Sequence, residues 1–102
     1  MKQKLFHLYN RLKKSFVDEI TDIVKHKKGE IKFNPVIRID KPSDDGFWYN
    51  EVACLQYDEK EKTLYVHLQE VQVDAIVTEK HEYWTPLRDL SFDEIYKIAE
   101  KI

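Results

Sequence analysis

One change of rhythm constrains this chain more than anything else in it. Leu5, Tyr9, Leu12, Phe16, Ile20 and Ile23 recur at steps of 4, 3, 4, 4 and 3, the spacing of one face of an α-helix. Past Gly29 the period becomes 2. Ile31, Phe33, Ile37 and Ile39 fall on one face, with Lys32, Asn34, Arg38 and Asp40 on the other, the pattern of a strand that buries one side. The chain must therefore fold as helix plus sheet.

The helical stretch holds more apolar surface than one packing seam uses. Phe6, Leu8, Val17 and Val24 flank the stripe, and at ~100° per residue the apolar arc spans roughly 180°. Lys25, His26, Lys27 and Lys28 complement the negative end of the helix dipole, so the helix is expected to end near Lys28 with Gly29 as its left-handed cap. A helix of ~25 residues is ~37 Å long. Part of it is expected to overhang the body of so short a chain, or to pack on a second copy.

Three features organise the middle. Pro35 cannot donate to a ladder, which makes the first strand an edge or a bulged strand. The stretch from Lys41 to Gly46 reads as a turn. Two strands follow, Trp48 to Tyr57 and Lys62 to Val71, joined by residues 58–61. A four-residue loop there sets Tyr57 opposite Lys62, Leu55 opposite Leu64 and Ala53 opposite Val66. One face then carries Ala53, Leu55, Tyr57, Leu64, Val66 and Leu68, and the other Cys54, Gln56, Thr63, Tyr65, His67 and Gln69.

From Gln72 to Leu87 the pattern allows a fourth strand around Val73 and Val77 and a fifth over His81 to Pro86, turning at Glu79-Lys80, or one irregular excursion. The chain closes on Ser91 and Glu94, the spacing of a capping box, with Leu90 and Ile95 at the staple positions and Phe92, Ile95, Ile98, Ala99 and Ile102 as the buried stripe. The expected fold is α+β: a long N-terminal helix, an antiparallel meander of three to five strands and a short C-terminal helix, as one domain over residues 1–102.

Charge divides by position. Met1 to Lys41 carry 11 Lys+Arg against 5 Asp+Glu, and Pro42 to Ile102 carry 6 against 14, giving +6 and −8 and the overall −2. Two such halves attract within or between chains, and a basic helix also suits polyanions. The 35% of charged residues is interleaved with 42% hydrophobic ones, which argues for a folded chain. Cys54 is the single cysteine, so no intrachain disulfide forms and a reducing, cytoplasmic setting is expected. Charges interrupt the first residues every few positions, unlike a signal peptide, and no run of ~18 apolar residues suits a membrane span.

Candidate sites are few. Lys4, Arg11, Lys14, Lys25 and Lys28 share the polar side of the first helix, as a nucleic-acid surface requires. Asp18 and Asp22 interrupt them at pairing distance, which reads instead as a self-neutralised face. Phe47, Trp48, Tyr49, Tyr83 and Trp84 are bordered by acids rather than by Lys or Arg. That border favours core closure or a protein-binding patch over base stacking.

Cys54 and His67 lie on the same polar face of the hairpin, diagonal in this register, but the sequence supplies no cleft or thiolate-stabilising charge for a nucleophile. His7, His26, His67 and His81 have no ligand spacing, and Gly29 and Gly46 make no phosphate loop. No catalytic residue, metal or cofactor is expected. The reading that follows is a small, non-enzymatic interaction or accessory protein that self-associates as a homodimer or binds another protein. Nucleic-acid binding through the first helix and a thiol-dependent enzyme are its alternatives.

Overall fold

The computed structural model describes residues 2–39, 48–73 and 78–102, with no side-chain description for residues 2–8, 48, 73, 78 and 79. The helix α1 (Lys2–His26) leads into β1 (Glu30–Arg38), β2 (Trp48–Asp58), β3 (Thr63–Val73) and β4 (Thr78–Pro86). A short 3-10 turn (Leu87–Asp89) then leads to α2 (Phe92–Glu100). The four strands form an antiparallel sheet in the order β1-β2-β3-β4. The expected α+β meander between two helices is what the chain adopts. Glu79 and Lys80 are not a turn. They pair with Gln72 and Val71 inside β4, a strand that takes in the suggested fifth; Val73 ends β3, and residues 74–77 of the suggested fourth strand, like the expected Lys41–Gly46 turn, lie outside the described residues.

α1 ends where its charge pattern places the end, but the cap is shared. Gly29 N–H donates to Val24 O at 2.9 Å, the long closing bond of a Schellman cap, and both Lys28 (φ 65°) and Gly29 (φ 83°) are left-handed. A β-carbon added at Gly29 meets no heavy atom within 4 Å. Gly29→Ala is therefore expected to lose on the order of 1 kcal/mol through backbone strain alone. Denaturant titration should show a lower midpoint with an unchanged slope.

β1 is both an edge strand and an irregular one. Lys32 pairs with Cys54 and Ile37 with Val52, so the residues around Pro35 bulge out of the ladder, and the Asn34-Pro35 bond is cis. The β2–β3 loop sits one residue later than the spacing suggests. Asp58 Oδ1 accepts from Lys60 N at 2.9 Å and from Glu61 N at 3.2 Å. Asp58 thus joins the ladder opposite Thr63, which sets Tyr57 against Leu64 rather than Lys62 and Leu55 against Val66 rather than Leu64. A shift of two keeps each side chain on its face. Beyond Cys54 the register shifts once more at Ala53, and Val52, not Ala53, takes the core position as a fully buried side chain.

The inner face of the sheet carries cross-strand rows Ile31–Leu55–Val66–Thr85 and Ile37–Val52–Leu68–Tyr83. Against it pack Ile20 and Val24 of α1, Leu87 and Leu90, and Ile95 and Ile98 of α2. α2 starts on the expected capping box, with Glu94 N–H donating to Ser91 Oγ at 3.2 Å and Ser91 N–H to Glu94 Oε1 at 3.0 Å. Its next amide, Phe92 N–H, donates to the Tyr9 hydroxyl at 2.9 Å, so α1 satisfies a helix-terminal donor of α2. Ile102 lies past the helix end and is exposed, against the expectation that it closes the stripe.

Candidate functional site

The long helix faces the sheet with only part of the stripe that its period emphasises. Ile20 and Val24 are buried and Phe16, Val17 and Thr21 half-buried, whereas Tyr9, Leu12 and Ile23 are exposed. The apolar arc is wide enough for two uses, and the sheet takes the Val17–Val24 flank. The flank through Leu12 and Ile23 is left to solvent, with Leu12 53% exposed.

α2 extends that surface. Phe16 makes edge contacts with Phe92 at 5.2 Å and Tyr96 at 6.1 Å between ring centroids, and Tyr9 lies 5.5 Å from Phe92. Tyr96 remains 48% exposed. The aromatic seam between the helices is thus half core and half surface. Of the eight exposed large hydrophobic residues among those described, five (Tyr9, Leu12, Ile23, Tyr96 and Ile102) belong to the helices or the chain just after them. Among the described residues the exposed apolar surface is concentrated on the helical layer.

The outer face of the sheet is polar and aromatic. Its rows read Glu30–Gln56–Tyr65–Pro86, Lys32–Cys54–His67–Trp84 and Arg38–Glu51–Gln69–Glu82. Trp84 stacks on His67 at 4.6 Å and 14°. His67 Nε2 lies 3.8 Å from Glu82 Oε2, and Gln69 Nε2 donates to Glu82 Oε1 at 3.1 Å. The Arg38 guanidinium sits 3.8 Å over the Tyr49 ring, a cation–π contact.

The five aromatic candidates therefore form no single patch. Tyr49 and Trp84 belong to the outer face. Tyr83, the neighbour of Trp84, points to the inner side of β4, where its hydroxyl donates to Asn50 Oδ1 at 3.3 Å. Phe47 lies outside the described residues, as does the side chain of Trp48.

The basic candidates also separate. Lys25 Nζ sits 5.1 Å over the Tyr57 ring, Lys14 lines a groove on the far flank of α1, and Lys28 is the left-handed cap. Arg11 is exposed, and the Lys4 side chain is outside the described residues. Asp18 and Asp22 stay exposed on that side of the helix.

Cys54 and His67 are directly opposed across β2 and β3 rather than diagonal, because the later β2–β3 loop moves the pairing by two residues. His67 is engaged toward β4, with Trp84 and Glu82. Burial pushes the Cys54 thiol above its ordinary 9.0, the Glu30 carboxylate pushes the same way and Lys32 opposes both. A raised thiol is the reverse of what a nucleophile needs.

The unfolded chain releases the thiol proton first, so this contribution to stability is intact below about pH 9 and is lost as pH rises beyond it. Native Cys54 is expected to react with a thiol reagent at neutral pH far more slowly than the denatured chain, checked by timed labelling with and without denaturant. Among the described residues no three His, Cys, Asp or Glu side chains are grouped to hold a metal ion, and no helix is long and apolar enough to cross a membrane. No family model, curated protein or solved structure matches the chain.

Proposed function

We propose that this chain is a small, non-enzymatic interaction protein that pairs with a second copy of itself through the exposed flank of its helical layer. The observation that carries this reading is the exposed pair Leu12 and Ile23 on one flank of α1, joined through half-buried Phe16 to exposed Tyr96. Exposed side chains of this size, brought together on one face, are the composition of an interface.

Charge favours a second copy as the occupant. Arg11 precedes this flank and Glu19 and Asp22 lie along its later half, so each copy supplies both signs. An antiparallel crossing about the middle of α1 sets Leu12 of one copy against Ile23 of the other and Arg11 near Asp22, the self-complementary contact that two-fold symmetry requires. The interface is expected to gain most from its apolar centre and little from these exposed ion pairs.

Size-exclusion chromatography with light scattering tests the reading. At high concentration the mass should approach twice the 12.3 kDa of the chain. A mass of one chain at every concentration and salt condition removes the self-association.

A further inference from the structure

We propose that the groove between α1 and the β2–β3 loop binds a phosphorylated small molecule of nucleotide size. Lys13 and Lys14 of α1, Lys62 of the loop and Arg88 of the 3-10 turn meet at this groove, with Asp18 as its one carboxylate, a balance of four cations to one anion. Its volume is about 400 Å³, within the usual range for small-molecule sites. Val17 and Leu64 give it an apolar floor, which suits a ring carried beside the phosphates. The groove lies on the flank of α1 turned away from Leu12 and Ile23, so it does not depend on self-association.

Three observations separate this cluster from scattered surface lysines. First, it runs against the local charge. The segment Pro42 to Ile102 has only 6 basic residues against 14 acids, yet two of those six, Lys62 and Arg88, line this groove. Second, among the described residues the close basic–acidic contacts are Lys32–Glu30 and His67–Glu82, so none of the four groove cations has a carboxylate at salt-bridge distance, Asp18 included.

Third, the walls are built. Thr63, buried, donates its hydroxyl proton to Glu61 O at 2.9 Å and accepts from Arg88 Nη1 at 3.3 Å. This fixes the guanidinium while leaving most of its five donors for a ligand. Lys62 adopts φ 51°, a left-handed backbone that a lysine tolerates only at a cost.

Phosphoryl groups are the anions that this donor set matches. A guanidinium fork offers paired N–H donors to two oxygens, and ammonium groups add point charge around them. A polymeric nucleic acid fits less well, since Asp18 and then Asp22 break the basic track along α1.

The test is calorimetric titration of the full chain with ADP and with pyrophosphate at low salt. The expected result is saturable one-site binding that weakens at least about tenfold in Arg88→Gln and in Lys62→Gly. Lys62→Gly relieves the left-handed strain, so a loss of binding in that variant cannot come from a damaged fold, and thermal unfolding should show it no less stable than the parent. Lys27→Gln, an exposed cation outside the groove, should bind like the parent. Absence of saturable binding to both probes overturns the proposal. So does an equal loss in Lys27→Gln, or tighter binding of a single-stranded oligonucleotide than of ADP.

Discussion

Leu55→Ala is expected to lower the unfolding free energy by about 3 kcal/mol, within the range for truncating a buried leucine. Leu55 is fully buried at the centre of the inner face, between Ile31 and Val66 and beneath the helical layer. No polar group there can fill the space, so the lost apolar transfer and the cavity add. Folds of this size have about 5–15 kcal/mol in total, which makes the loss a large fraction. The melting temperature should fall by roughly 12–24 °C.

The neighbouring residue supplies the contrast. Gln56 is exposed on the outer face, and Gln56→Ala should change stability by no more than about 0.5 kcal/mol. Thermal and denaturant unfolding of the two variants reads the register directly. Equal costs would mean that the hairpin faces are assigned the wrong way round.

The second large effect concerns association. Leu12→Glu combined with Tyr96→Glu should weaken self-association at least about a hundredfold, since each carboxylate would be desolvated in the paired state without a partner. Both side chains are about half exposed in the single copy, so the stability of the monomer fold should change by no more than about 0.5 kcal/mol per site. Trp84→Ser, on the outer face of the sheet, should leave association unchanged. Sedimentation across a dilution series separates these outcomes. If Trp84→Ser rather than the helix pair reduces the mass, the sheet carries the contact.

Much of the architecture was legible in the residues because its signals are local. The period change at Gly29, the Ser91/Glu94 box and the proline in β1 each act within a few residues, and each appears in the fold. The faces of the β2–β3 hairpin were legible as well, because a slip by two residues preserves them. The bulge at Ala53 left no such mark, since alanine is equally at home in or out of a ladder, and the direct Cys54–His67 pairing was hidden by the loop, whose position one residue later moves each pair by two. Glu79-Lys80 looked like a turn because charged pairs favour loops, but at an edge strand the same residues are compatible with pairing.

The site was less legible, for reasons of geometry. An arc of 180° on α1 shows that the helix is greasy, not which flank the sheet will cover. Only the packing of Ile20 and Val24 decides that, and it exposes Leu12 and Ile23. The groove draws Lys13, Lys14, Lys62 and Arg88 from three separated elements. No spacing rule joins residues that far apart, so a linear reading grouped Lys14 with Lys4, Arg11, Lys25 and Lys28 instead.

Residue-resolved NMR on dilution tests the central claim most directly, because it reports both whether copies pair and through which face. The signals of Leu12, Phe16, Ile23 and Tyr96 are expected to move with concentration while those of Val36, Tyr83 and Trp84 stay in place. Concentration-dependent shifts confined to the sheet residues, or no shifts at any concentration, would contradict it.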